Sequence, residues 1–331
     1  MTSEPAITVL MTVYNAGRFL DPSIRSILGQ AFRNFEFLIV DDASTDGSVE
    51  VVEQWTRRDD RVRLIRNEFN KGQTPCLNQG LRLARGKWVA RQDADDLSHP
   101  TRLAEQFQFT TMHPEVVLVG TNGRIIDEHD RLTGLLDAPL SHASITWTAP
   151  FLNPFMHTAV LFRTDLIRDT FGGYDETFRI AQDYELWTRV LATHPTANLA
   201  QRLVCYRHLE SSLSKNGRER AFAEAELVSR RESERLFRVP PDPNEHTLIA
   251  RFREGLRAED RRAFWAFYNR ELEKLSDPPA DLNRTVAQHH LKAAGALAGS
   301  HPRAALAELA TAARRDFRTT LGWLAARYFN A

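Results

Sequence analysis

Within its first hundred residues the chain switches repeatedly between two hydrophobic periods, and this alternation limits the fold more than any other feature. Ile7–Val13 is an apolar-rich run of strand length, broken by Asn15-Ala16-Gly17. Leu20–Leu28 then shows helical spacing, with Ile24, Ile27 and Leu28 on one face. Phe35–Val40 is a second run, followed by the polar turn Asp41–Gly47 and a helix striped by Val49, Val52 and Trp55. Val62–Ile65 reads as a third strand and Gln73–Ala84 as a third helix, ended by Arg85-Gly86. Trp88-Val89-Ala90 is a fourth strand and runs into Asp93-Ala94-Asp95-Asp96. The rhythm predicts an α/β fold, a mostly parallel sheet with helices on both faces. Ligands of such sheets sit beyond the carboxyl ends of the strands. The clusters Asp41–Asp46 and Asp93–Asp96 are therefore expected in one crevice.

Further along, Val116–Thr121, Arg124–Asp127, Ala159–Phe162 and Leu203–Tyr206 read as strands, and Asp183–Thr193 as a helix. After Ser214 the composition turns to Ala, Arg, Glu and Leu, punctuated by Pro240-Pro241, Pro278-Pro279 and Pro302. This predicts an α/β domain over residues 1–215 and a helical C-terminal region over 216–331, with a helical hairpin in Ala293–Ala313. A length of 331 residues fits about two domains. Lys plus Arg and Asp plus Glu both number 43, so no basic excess argues for nucleic acid as a partner. Cys76 and Cys205 are too few for a disulfide scaffold or a structural zinc site and read as reduced thiols. Met1–Pro5 lacks a basic n-region, and Ile7–Met11 is too short for a signal peptide. No stretch approaches the ~20 apolar residues of a membrane span. A cytoplasmic chain is expected. Arg314–Phe329 mixes four arginines with Phe317, Trp323, Tyr328 and Phe329. It reads either as a helix docked on its own domain or as a membrane-surface helix giving peripheral contact at the inner face.

The sharpest chemical feature is Asp93-Ala94-Asp95-Asp96. Carboxylates two apart at a strand end can turn toward the same space, and crowding them is costly unless a cation neutralises them. Oxygen ligands suit Mg²⁺ or Mn²⁺, and Mg²⁺ typically takes one or two carboxylates plus substrate phosphates. A solvated acidic loop is the plainer reading of an isolated D-x-D, but here the motif follows a buried strand and has a second acidic turn beside it. In that second turn, Ser44 or Asp46 accounts for a helix cap. A cap does not explain the pair Asp41-Asp42 at the strand end, where a carboxylate can accept from the edge of a nucleobase.

Several segments together resemble glycosyltransferase family 2, the inverting enzymes of the GT-A fold. They are Thr8–Asn15 with Glu36–Gly47, Arg66-Asn67 with Asn70-Lys71-Gly72, Leu77-Asn78-Gln79-Gly80, Gly86–Asp96, Gly172–Glu176 and Ala181–Trp187. Each is weak alone. In the family's order over about residues 6 to 215 they are specific, and the C-terminal third lies outside the resemblance.

The resemblance implies a GT-A (Rossmann-like nucleotide-diphospho-sugar transferase) domain and a role for each matching position. Val13 and Tyr14 would line the nucleotide pocket, Asp42 would bind the base, and Asn78 and Asp93 would hold ribose and neighbouring donor atoms. Asp95 would ligate Mn²⁺ or Mg²⁺ on the diphosphate, and Asp183 would be the catalytic base. Family members often carry Glu before that base, whereas this chain has Gln182, which changes the charge beside Asp183. His208 has two readings, a ligand of the metal or diphosphate and a structural histidine. His157, in Asn153–His157, is either an acceptor-side residue or a satisfied, partly buried imidazole. Arg66 and Lys71 are expected to be solvated. The implied partners are a nucleotide-diphosphate sugar donor, UDP-linked in first place, and a saccharide or lipid-linked saccharide acceptor in bacterial polysaccharide synthesis. A nucleotidyltransferase would need a Gly-rich, basic loop after the first strand, and Val13–Arg18 has none. A Rossmann dehydrogenase would need G-x-G-x-x-G there. A catalytically inactive module that binds nucleotide-sugar or glycan is the alternative from another class.

Overall fold

The computed structural model describes residues 4–209, 217–237, 242–257, 259–275, 281–298, 301–316 and 319–320. Its strands are β1 (Ile7–Val13), β2 (Phe35–Asp41), β3 (Val62–Arg66), β4 (Trp88–Asp93), β5 (Leu97–Ser98), β6 (Leu118–Ile126), β7 (Leu132–Leu136), β8 (Leu161–Arg163) and β9 (Thr196–Arg207). The first helices are α1 (Leu20–Leu28), α2 (Ser48–Thr56), α3 (Gln73–Leu83), α4 (Arg102–Met112), α5 (His142–Thr148) and α6 (Gln182–Leu191). They are followed by α7 (Arg218–Leu236), α8 (Pro243–Glu254), α9 (Arg261–Glu273), α10 (Leu282–Leu297) and α11 (Pro302–Arg315). Two compact units result. The first holds Met1–Leu132 with Phe155–Ala221, and the second Thr133–Pro154 with Phe222–Ala331.

In the first unit the strands run in the order β3-β2-β1-β4-β8-β6-β9-β5. β1 pairs parallel with β2 and β4, β2 with β3, and β6 with β9. β8 lies antiparallel between β4 and β6, and β5 antiparallel on β9. The α/β, mostly parallel fold expected from the alternation is present. The antiparallel insertions have no local sequence signature, because strand direction is set by the connections and not by the strand's own residues. β2 is buried at every position, which is why it reads as a continuous apolar run. The core comprises Ile7, Val9, Met11, Phe37, Ile39 and Ala90 from the strands against Leu20, Ile24 and Ile27 of α1. Burying a side chain of this size contributes about 1.5–3 kcal/mol before the entropy of ordering it is counted.

Three strand ends lie level. Val13 is opposite Asp41, and Thr12 is opposite Asp93. The turns after β1 and β2 are laced together. The N–H of Asn15 donates to Ser44 Oγ at 3.0 Å, that of Thr45 to Asn15 Oδ1 at 2.8 Å, and that of Gly17 to Asp46 Oδ2 at 2.9 Å. Asp46 also accepts from Ser48 N–H at the start of α2. The N-cap of α2 is Gly47, not Ser44 or Asp46, and no side chain caps the helix: Asp46 supports its start from one residue earlier, and Ser44 Oγ accepts from Asn15.

The second unit is helical with an aromatic core. Trp147, Phe151, Phe237, Phe252, Phe264 and Tyr268 pack together, with Phe252 and Phe264 stacked at 4.6 Å. Asp281 accepts from the N–H groups of Leu140 and Ser141 and from the hydroxyls of Ser141 and Ser144, which fixes the start of α5. α8 opens with a capping box of Asp242 and Glu245 around Pro243. The helical hairpin expected in Ala293–Ala313 takes in only the last turn of α10, which begins at Leu282, and most of α11. Among the described residues no helix is long and apolar enough to cross a membrane. Most of Arg314–Phe329, read from the sequence as a docked or a membrane-surface helix, lies outside the described residues.

Candidate active site

The site is built on the level ends of β1, β2 and β4 in the first unit. Asp42 follows β2, is 3% exposed, and its N–H donates to Val13 O at 2.8 Å. Its carboxylate accepts from Lys71 N–H at 2.9 Å, Gly72 N–H at 2.8 Å and Asn67 Nδ2 at 3.0 Å. Asp42 thus holds the 67–72 loop against the strand end. Gly72 has φ +91°, a conformation that side-chain-bearing residues rarely adopt, and it turns its N–H to Asp42 immediately before α3. Asp42 sits beside Cys76, whose thiol is pushed up to about 12 by burial and then by this carboxylate. Asp41 lies behind, with Oδ2 accepting from Ser44 N–H and Oδ1 buried and unpartnered. Tyr14 is 55% exposed at the mouth of this corner.

Asn78, expected at the ribose, makes three hydrogen bonds through its side-chain amide. Its Oδ1 accepts from Tyr174 N–H at 2.9 Å, and its Nδ2 donates to Tyr174 O and to Glu176 Oε1, both at 2.9 Å. The amide is engaged in clamping Gly172–Glu176. Gly173 permits the clamp, because a Cβ there would lie 2.5 Å from Asn78 Oδ1.

The acid turn after β4 is held mainly through its main chain. Asp93 O accepts from Ser23 Oγ at 3.0 Å and from Gln92 Nε2 at 3.1 Å, and Asp93 N–H donates to Thr158 Oγ1 at 3.1 Å. The three carboxylates differ sharply. Asp93 Oδ1 accepts from Arg91 Nη2 at 2.6 Å, and Arg91 is fully buried. Arg91 also donates to Leu10 O, Gln92 O and Thr12 Oγ1. Asp96 is fully buried, accepts from Arg207 N–H at 2.6 Å and is bonded by Thr158, while its Oδ2 is unpartnered. Burial and its acidic neighbours hold the Asp96 carboxyl well above the usual carboxylate range. Asp95 has no ion-pair partner among the described residues. Burial, and after it the charge of Asp93, pushes its carboxyl up to about 6.

Asp183 lies in the first turn of α6, where the helix dipole favours negative charge. Its charge reaches two phenols, the half-buried Tyr206 and the buried Tyr174. Burial pushes Tyr206 up to about 12, and the charges of Asp96, Asp93, Asp95 and Asp183 add to this. Tyr174 is raised by burial and then by Asp183 and Asp93, against the lowering influence of Arg91. The acid turn and Asp183 therefore act on the same two side chains. Gln182 is buried, donates from Nε2 to Gln73 Oε1 at 3.0 Å, and leaves Oε1 unpartnered beside Asp183. His157 opens a short 3₁₀ turn and meets Tyr174 Oη at 3.1 Å, with the Trp187 ring 6.2 Å away. Burial, then the nearby Arg91 charge, keeps its imidazole neutral.

His208 is exposed, and its N–H donates to Ile126 O at 2.8 Å. Among the described residues no group of three or more His, Cys, Asp or Glu side chains forms a metal cage. The donor set still fits Mg²⁺ or Mn²⁺, which take one or two carboxylates and complete their shell with water and substrate phosphate. An unpaired, half-desolvated Asp95 next to Asp93 is such a set. Arg91, Asp96, Thr158, Tyr174, Tyr206 and Arg207 complete the site without having been assigned roles from the sequence. The available signal was a charged residue, Arg91, inside a strand that is otherwise buried.

Comparison with known proteins agrees with this geometry. The profile of glycosyl transferase family 2 matches residues 8–171. The Bacillus subtilis protein EpsE is 37% identical over 196 residues, covering 57% of this chain and 68% of EpsE. The O-antigen biosynthesis glycosyltransferase WbnJ of Escherichia coli is 32% identical over 220 residues, covering 63% of this chain and 82% of WbnJ. In fold, the chain resembles S. aureus TarS 1–349 in complex with UDP-GlcNAc, with a TM-score of 0.57 at 16% identity over 97% of this chain and 90% of that one. It also resembles the mannosyltransferase PcManGT of Pyrobaculum calidifontis in complex with GDP-Man and Mn²⁺, with a TM-score of 0.53 at 21% identity over 99% and 88%. An acid turn at the end of β4, an anchored Asp42 at the end of β2 and a profile that spans both leave one assignment: the chain belongs to glycosyl transferase family 2.

Proposed function

We propose that the chain transfers a sugar, with inversion, from a nucleoside-diphosphate donor to a hydroxyl of a saccharide or lipid-linked saccharide in bacterial glycan synthesis. A UDP-sugar is the first donor class to test, since TarS was solved with UDP-GlcNAc. PcManGT carries GDP-Man and Mn²⁺, which supports a divalent cation here while keeping guanine donors in the screen.

The observation that carries this reading is the acid turn Asp93–Asp96 at the end of β4, level with the end of β1 and with Asp41-Asp42 at the end of β2. Asp95 would hold the cation with Asp93 beside it. Such an ion supplies positive charge against the leaving diphosphate. Asp42 and the edge of β1 at Val13 and Tyr14 form the corner for the base. Asn78 positions the Gly172–Glu176 stretch through its clamp on Tyr174. Asp183 accepts the proton of the acceptor hydroxyl as that oxygen attacks the anomeric carbon. In-line attack from the face opposite the diphosphate inverts that centre. His157, kept neutral, and the unpartnered carbonyl of Gln182 offer hydrogen bonds on the acceptor side. His208 is a candidate for the diphosphate edge.

The test is release of nucleoside diphosphate from a panel of UDP- and GDP-sugars with Mn²⁺ and saccharide acceptors, in wild type and Asp183→Asn. A general base contributes ~10²–10⁴-fold. The variant should lose turnover by that factor while binding donor normally. Full turnover in Asp183→Asn would remove Asp183 from the role of base.

A further inference from the structure

Arg207 closes β9 and is nearly as buried as the core, with 2% of its side chain exposed. Every arm is engaged. Nε donates to the carbonyl of Asp95 at 2.8 Å, and Nη1 to the carbonyl of Asp127 at the end of β6 at 2.8 Å. Nη2 pairs with Asp130 at 2.6 Å, and the guanidinium lies 4.6 Å over the Phe19 ring. The Arg207 main-chain N–H meets Asp96 Oδ1 at 2.6 Å. One residue therefore grips the acid turn at two consecutive positions while bracing on β6 and on the turn after β1. The outcome for the three carboxylates is a division of labour. Asp93 is taken by Arg91 and Asp96 by the Arg207 N–H, which leaves Asp95 as the acid whose carboxylate is held by no other segment among the described residues.

We propose that Arg207 is a positioning residue that orients Asp95 for the cation by holding its carbonyl from behind. Its net charge opposite the turn is a secondary effect, because the guanidinium is already paired with Asp130. A partner that orients a ligand in this way typically matters 10–100-fold in metal affinity.

The inference rests on the proposed cation site, so the test separates the two. Binding of Mn²⁺ is measured by electron paramagnetic resonance of the free ion, with and without UDP, in wild type, Arg207→Met, Arg207→Lys and Asp130→Asn. Circular dichroism and the melting temperature report the fold. Arg207→Met keeps the apolar stem over Phe19 and the main-chain N–H to Asp96 but removes every side-chain donor, so it should weaken Mn²⁺ binding about 10–100-fold. Arg207→Lys retains one donor arm and should recover part of that loss. Asp130→Asn sits on an exposed partner, leaves the fold intact, and should weaken binding only a few-fold. If Arg207→Met does not fold, the Lys and Asn variants carry the test. Wild-type Mn²⁺ affinity in folded Arg207 variants would overturn the positioning role and leave the cation site standing. A wild-type protein that transfers sugar yet binds no Mn²⁺ would overturn both.

Discussion

Removing the Asp95 charge should make the metal-free protein more stable, and the gain should depend on pH. The Asp95 carboxyl stands near 6, against an ordinary value of 3.8, because it is desolvated and faces Asp93. A carboxyl raised in the folded state stabilises the fold fully below the unfolded value, near pH 4, and loses that contribution as pH rises through about 6. At about 1.36 kcal/mol per pH unit the gap amounts to on the order of 3 kcal/mol lost by pH 8. Asp95→Asn has no charge to desolvate. It should exceed wild type by roughly 3 kcal/mol at pH 8, by about half that at pH 5, and by little at pH 4. Asp96 is present in both proteins, and the loss of the Asp95 charge eases its burial as well, in the same direction. For a unit of this size the gain at pH 8 corresponds to a melting temperature higher by about 6–12 °C. Urea unfolding with a chelator present, at pH 5, 6.5 and 8, measures it. Adding Mn²⁺ and UDP should reverse the order, because only the wild type has the carboxylate to use them. A variant no more stable than wild type at pH 8, or a gain that ignores pH, would refute the reasoning.

Two further predictions concern the supports of the two units. Asn78→Ala leaves the Tyr174 N–H and carbonyl without partners, so urea unfolding should show a loss of about 1–3 kcal/mol. In the helical unit, Glu308 is fully buried and joins Arg261, Trp265 and His290. Glu308→Ala strands these groups and should cost about 3 kcal/mol, read as faster amide exchange in α9, α10 and α11.

Much of this fold is visible in the chain because its local signals agree. β2 is apolar at nearly every position since it is buried on both faces, and α1 carries its apolar stripe over the residues the helix occupies. The reading falls short where a polar side chain is buried for a purpose. β4 was expected to stop at Ala90, yet it runs through Arg91 and Gln92 to Asp93, because Arg91 is drawn into the core to meet Asp93. β9 was expected as Leu203–Tyr206 and spans Thr196–Arg207, since its first half carries polar residues that pair in the sheet. β6 reads as two strands because its pairing slips between Thr121 and Gly123. The site follows the same rule. Acids at strand ends can be read from the sequence, and Arg91, two residues before Asp93, shows as a charge inside a buried strand, whereas Thr158 and Arg207 arrive from distant segments and leave no local trace. Asn78 shows the converse, since its place in a motif says nothing about the clamp it forms on Tyr174.

The central claim is that Asp95 and Asp183 face one cavity, the first toward a cation on the diphosphate and the second toward the attacking hydroxyl. A crystal structure of the protein grown with UDP and Mn²⁺ tests it most directly. The account predicts the ion bonded to an Asp95 oxygen and to the diphosphate, with the Asp183 carboxylate opening onto the same space. An ion bound without Asp95, or Asp183 turned away behind packed side chains, would contradict it.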